Sequence, residues 1–188
     1  MLAAAVETIL EEGFYRASSN RIAQRAGVTW GVIQYHFGTR EQLLLAVAHN
    51  GAEDLLNRLR TARIHGETIE ERLESLADVI WAHYRRPQFL AYVQVLLNLS
   101  KDPRTSADTV ESLAESERVV GGLWQDLIDQ VIPAEQQRPR LGTVIFELIR
   151  GLAIGQSLME ALPYSTPRRA DDETRHALVQ ALALYVNR

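Results

Sequence analysis

The sequence predicts an all-α protein, and three observations carry that expectation. Apolar residues recur at spacings of three and four along most of the 188 residues. Prolines stand between these stretches and not within them. No run alternates cleanly enough to make a strand. The 46% hydrophobic content suffices for one large or two small cores.

The first helix spans 2–12, with Leu2, Val6, Ile9 and Leu10 on one face and Gly13 ending it. Two short helices follow at about 19–26 and 30–36. A longer one runs from about 40 to 63 and stops near Gly66. The next starts after Thr68, covers about 68–86 and stops before Pro87. Residues 88–99 end at a turn before Pro103, and 106–132 are closed by Pro133. Residues 140–162 are closed by Pro163, and 171–187 complete the count at about nine helices. The stretch 163–172, rich in Pro, Ser, Thr and Arg, is the one linker-like segment.

Composition removes several function classes. There is no cysteine, which excludes disulfides, thiolate metal sites and a cysteine nucleophile. The first residues carry acids where a secretion signal would be basic and then apolar, and no membrane span is expected, so a cytoplasmic location is expected. The net charge of −4 argues against a polyanionic partner unless positive charge is concentrated locally. It is concentrated: between Glu12 and Glu41 there is no acid, whereas Arg16, Arg21, Arg25 and Arg40 are present.

Inside that interval lies SSNRIAQRAGVTWGVIQYHF, residues 18–37. Ser18 or Ser19 can cap a short helix by accepting a free backbone N–H. Ile22, Ala23 and Ala26 share one face, and Ala23 is small where two helices must cross closely. Gly27 supplies the positive φ of a sharp turn. Val28 plugs that turn, and Thr29 stands where the next helix is capped. Ile33 and Phe37 hold the second helix to the core. This spacing makes a helix-turn-helix. The outward residues of the second helix, Trp30, Gly31, Gln34, Tyr35 and His36, are not those of an ordinary charged face. Gln, Tyr and His can hydrogen-bond to base edges or phosphates, and Trp can pack on sugar or a thymine methyl. Thr39-Arg40-Glu41-Gln42 reads as a capping box, with Arg40 at a helix N-terminus as a phosphate clamp.

The run from Gly13 to Leu44, GFYRASSNRIAQRAGVTWGVIQYHFGTREQLL, resembles the N-terminal signature of the TetR family of transcriptional regulators. The resemblance covers about the first 50 residues. It implies an N-terminal three-helix DNA-binding domain at 1–46 and a larger helical domain at 47–188 for effector binding and dimerisation. It places DNA contacts at Ser19 and Asn20, at Thr29, Trp30, Gly31, Gln34, Tyr35 and His36, and at Arg40. The implied partners are a double-stranded DNA operator, a small-molecule effector and a second copy of the chain, with no cofactor. Two departures stand out. Members often have Tyr where this chain has Gln34, an amide suited to adenine. Members also carry a basic lead-in before the first helix, which here would have to lie upstream of Met1 or be missing.

Beyond the motif, Trp81, Tyr84, Phe89, Tyr92 and Trp124 supply the aromatic surface that a small-molecule pocket needs, although each alone also fits an ordinary core. Gly142, Ile145, Ile149, Leu152 and Gln156 form a stripe on the eighth helix, and Leu178, Leu182 and Tyr185 another on the ninth. Spacing leaves open whether these stripes face a second copy or the chain's own interior; the resemblance implies the former. Two other classes compete. An enzyme has little support: Glu173 and His176 have metal-site spacing, but the motif occurs once where such a site needs two. An interaction module whose helix-turn-helix has lost its DNA contacts is the other alternative.

Overall fold

The structure is a computed structural model that describes residues 1–162 and 171–187. Among these residues are nine α-helices and one 3-10 turn, Ala134–Gln136. The helices are α1 (Leu2–Glu12), α2 (Ser19–Arg25), α3 (Trp30–Phe37), α4 (Arg40–Thr61) and α5 (Ile69–Tyr84). They continue with α6 (Pro87–Lys101), α7 (Ala107–Val131), α8 (Leu141–Ala161) and α9 (Asp171–Val186). The all-α expectation holds, with ends within about two residues of those read from the sequence. One difference is instructive: α6 starts on Pro87 itself, because the first helical position needs no N–H donor. Most of the linker-like stretch 163–172 lies outside the described residues.

The fold divides into two compact units. The first joins residues 1–56 to 86–120, so the expected N-terminal domain packs together with α6 and the start of α7. Its core contains Ala5, Ile9, Ala17, Ile22, Leu43, Leu44, Ala91 and Val95, all fully buried. Helix α1 packs against both α2 and α6, and α2 packs against α3. Burying the Ile, Leu and Val side chains among these contributes about 1.5–3 kcal/mol each, and this is what holds short helices that could not persist alone.

The second unit joins 57–85 to 121–188, and α5 packs on α8 and α9. Leu73, Leu76, Ile80, Ile145, Ile149 and Val179 are fully buried in it. Helix α5 opens on a complete capping box. Thr68 Oγ1 accepts from the Glu71 N–H at 3.2 Å, and the Glu71 carboxylate accepts from the Thr68 N–H at 3.0 Å. Helix α8 is long and apolar enough to cross a membrane by length and composition. It is also a core helix of this unit, with Ile145, Phe146, Ile149 and Ala153 turned inward.

The stripe expected to meet a second copy is largely internal. Ile145 and Ile149 are 0% exposed within the single chain, and Leu182 is buried too. Gly142 is needed for contact with the chain's own α7, since a Cβ there would lie 2.4 Å from Ile128 Cγ2. Gln156 accepts a hydrogen bond from the Trp81 indole at 2.9 Å. Leu152 and Leu178 are half-buried, and Tyr185 is exposed. What α8 leaves outside is the adjacent stripe: Val144, Leu148, Gly151, Gly155, Leu158 and Met159. Three- and four-residue spacing identifies a stripe but not which of two neighbouring stripes faces the core.

Candidate nucleic-acid interface

Residues 18–37 form the expected helix-turn-helix. Ser18 Oγ accepts from the Arg21 N–H at 3.3 Å and so caps α2. Gly27 sits at φ 67°, a left-handed conformation that glycine adopts without steric cost. The turn closes when the Val28 N–H donates to the Ala23 carbonyl at 3.0 Å. Ile22, Ala23 and Ile33 are buried between the helices, and Val28 and Phe37 are half-buried beside them.

Fixing those side chains inward fixes the rest outward. Thr29, Trp30, Gly31, Gln34, Tyr35 and His36 are all exposed, Tyr35 to 86%. Asn20 is exposed at the start of α2, and Ser19 beside it is half-buried. Thr29 occupies the N-cap position of α3, but its hydroxyl makes no capping bond. Among the described residues, no hydrogen bond engages the side chains of Asn20, Thr29, Gln34, Tyr35 or His36. The Tyr35 and His36 rings meet edge to face at 5.3 Å. The face is therefore a set of donors and acceptors open to an external partner, on a helix anchored from behind.

Arg40 is placed differently from a free phosphate clamp. Its Nε donates to the Ala17 carbonyl at 3.0 Å and its Nη2 to the Phe14 carbonyl at 2.7 Å. The guanidinium also stacks over the Phe14 ring, 4.7 Å from the centroid. Burial pushes its pKa below the ordinary arginine value. Arg40 thus ties the start of α4 to the loop between α1 and α2. The same loop is held from α6, where Gln94 Oε1 accepts from the Phe14 N–H at 3.3 Å. No sequence signal marked Gln94 for that role, because the pairing spans 80 residues.

Around Arg40 the start of α4 is firmly set. Thr39 Oγ1 accepts from the Gln42 N–H at 3.1 Å, which is half of the expected capping box. The other half is pre-empted, since the Thr39 N–H donates to the Phe37 carbonyl at 2.9 Å. The Glu41 carboxylate accepts from the Thr109 hydroxyl at 2.6 Å, from the Ser106 hydroxyl at 2.7 Å and from the Ser106 N–H at 3.1 Å. These bonds, Thr109's first, hold the Glu41 carboxyl below its ordinary pKa. A depressed carboxyl pKa adds stability that is complete above the ordinary carboxylate range and is lost as pH falls through the folded value. Replacing Glu41 by Gln should lower stability at neutral pH and flatten the acid limb of a stability-against-pH curve. An unchanged acid limb in urea titrations would contradict this.

The acid-free interval of sequence is not an acid-free surface. Arg21 makes a two-pronged pair with Glu12, Nε at 3.1 Å and Nη2 at 3.0 Å, and also donates to Gln24. Arg25 is hydrogen-bonded to Glu11 and lies 3.7 Å from Glu7 and 3.8 Å from Glu12. The acids come from α1, packed alongside α2.

This geometry agrees with known proteins. Residues 1–47 match the family model described as bacterial regulatory proteins, tetR family. Over this segment the chain is similar to the tetR family. An HTH-type transcriptional activator, FasR, of Mycolicibacterium smegmatis is 31% identical over 84 residues, covering 43% of this chain and 38% of the activator. The fatty acid metabolism regulator protein of Bacillus subtilis is 32% identical over 84 residues, covering 43% of this chain and 40% of that protein. The matched segments thus span about two-fifths of those relatives' lengths. A regulatory protein of the tetR family from Rhodococcus RHA1 has the same fold over the whole chain. Its TM-score is 0.69 at 18% identity, covering 99% of this chain and 93% of that one. The likeness in fold therefore extends beyond residue 47.

The remaining expected site residues fall in separate places. Phe89 and Tyr92 belong to the first unit; Trp81, Tyr84 and Trp124 belong to the second. Trp81, Tyr84, Phe89 and Trp124 are buried, and Tyr92 is half-buried. Trp124 packs against Phe146 at 5.1 Å, and the Tyr84 carbonyl accepts from the Ser157 hydroxyl at 2.7 Å. Among the described residues no three His, Asp or Glu side chains are grouped to hold a metal ion. His176 instead bonds Glu74 at 3.0 Å and Gln180 at 2.9 Å.

Proposed function

We propose that the chain is a DNA-binding transcriptional regulator that binds a palindromic operator as a homodimer and represses until an effector binds. The observation that carries this reading is the face of α3, where Gln34, Tyr35 and His36 are exposed and unengaged by hydrogen bonds on a helix-turn-helix of TetR type. Gln34 is positioned to read an adenine edge, which is worth about 1–3 kcal/mol of discrimination for a bidentate contact. Tyr35 and His36 reach neighbouring bases or phosphates, and Ser19, Asn20 and Thr29 fix the register on the backbone.

A second copy supplies the other half-site. In this proposal it docks on the exposed stripe of α8 and on Leu184 and Tyr185 of α9, replacing the inward stripe read from the sequence. Two-fold symmetry then presents two α3 helices at half-sites one or more helical turns apart. The effector is a small molecule. It releases DNA only if it binds the non-operator state more tightly than the operator-bound state.

Binding of a duplex, followed by fluorescence anisotropy at several salt concentrations, tests the proposal. The expected result is two chains per duplex, with log affinity falling linearly as log salt rises. Failure to bind any duplex specifically at low salt would leave the helix-turn-helix as a protein-interaction module.

A further inference from the structure

We infer that Arg16, in the loop between α1 and α2, is the cation of this domain that meets the DNA backbone, whereas Arg21 and Arg25 are withheld from it by the carboxylates of α1. This rests on reading residues 18–37 as a DNA-binding surface. Four arginines lie between Glu12 and Glu41, and three of them are engaged elsewhere. Arg40 is turned inward onto the Phe14 and Ala17 carbonyls. Arg21 is paired fork to fork with Glu12, two parallel charge-assisted bonds that a phosphate would have to replace. Arg25 sits among Glu7, Glu11 and Glu12. A phosphate approaching Arg21 therefore also approaches the Glu12 carboxylate, one approaching Arg25 meets three carboxylates, and the like charges repel it.

Arg16 differs from all three. It is exposed, and among the described residues no hydrogen bond or ion pair engages its side chain. Its place in the chain is fixed, because its own carbonyl accepts from the Ser18 N–H at 2.8 Å and its N–H donates to the Gly13 carbonyl at 3.2 Å. Arg16 thus stands two residues before the capping Ser18, next to Ser19 and Asn20 at the start of the helix-turn-helix. A free guanidinium on an ordered loop beside the reading helices is placed to displace a counterion from a backbone phosphate without losing an internal partner.

The test uses the full chain and a duplex recovered by the wild-type protein from a random pool. Each phosphate neutralised contributes about 0.9 to the slope of log affinity against log salt. Arg16→Ala should reduce the slope by about one per bound chain and weaken all duplexes alike. Arg16→Lys should restore the slope. Arg21→Ala and Arg25→Ala should leave it at the wild-type value. A wild-type slope in Arg16→Ala, or an equal loss in Arg21→Ala or Arg25→Ala, overturns the assignment while leaving the proposed function standing. If the wild-type chain recovers no duplex, the proposed function fails and this assignment fails with it.

Discussion

Replacing Arg40 by alanine should destabilise the protein by about 3 kcal/mol, read as a lower urea midpoint at unchanged slope. The substitution strips two carbonyl acceptors, Phe14 O and Ala17 O, of the donors that Arg40 supplies. It also removes the cation stacked on the Phe14 ring. A half-buried carbonyl left without a donor costs about 1–3 kcal/mol, and two are exposed to that loss here. Arg40→Lys should recover only part of it, because a single ammonium cannot reproduce the fork that reaches both carbonyls. The same variant separates two roles for Arg40. As a brace, its loss lowers stability and leaves the salt slope of duplex binding unchanged in the folded fraction. A stable Arg40→Ala protein with a reduced slope would make Arg40 the phosphate clamp expected from its place at the start of α4.

The second large effect concerns the outer stripe of α8. If the proposed dimer forms through this stripe, the paired substitution Leu148→Glu with Leu158→Glu should leave a monomer in sedimentation, with little change in the stability of each chain. Leu148 and Leu158 are 49% and 45% exposed, so neither charge enters the core. Burying two glutamates per copy against their symmetry mates would cost several kcal/mol, beyond what a dimer interface tolerates. Operator affinity should fall at least 100-fold, because each half-site would then bind alone. The matching substitution at Ile149, fully buried, should instead unfold the second unit. A dimer that survives the charges on Leu148 and Leu158 would place the interface elsewhere.

These outcomes follow residues whose roles were unequally legible in the sequence. The helix-turn-helix was legible apart from the Thr29 cap, which does not form, since its determinants are local: a capping Ser18, small Ala23, Gly27 at positive φ, and aliphatic anchors at fixed spacing. Most helix ends were legible for the same reason, through Thr68, Pro87 and Pro133. Pairings between distant segments were not. The acid-free interval suggested four available arginines, but Glu7, Glu11 and Glu12 reach across from α1 to occupy two of them. Arg40 looked like a surface cation until the fold put the Phe14 and Ala17 carbonyls beneath it. Glu41 read as part of a local cap, yet its partners Ser106 and Thr109 lie more than 60 residues away. On α8 the spacing marked a stripe, but Ile145 and Ile149 within it are buried in the single chain, because a stripe is defined by sequence and its direction by what packs against it.

Selection of bound duplexes from a random pool, run in parallel with the wild-type chain and Gln34→Ala, asks whether α3 reads base sequence. The wild type should enrich a two-fold-symmetric sequence, and Gln34→Ala should lose preference at one position in each half-site, keeping the rest. A wild-type chain that enriches no sequence at low salt, or a Gln34→Ala chain that enriches the identical motif with undiminished preference, would contradict it.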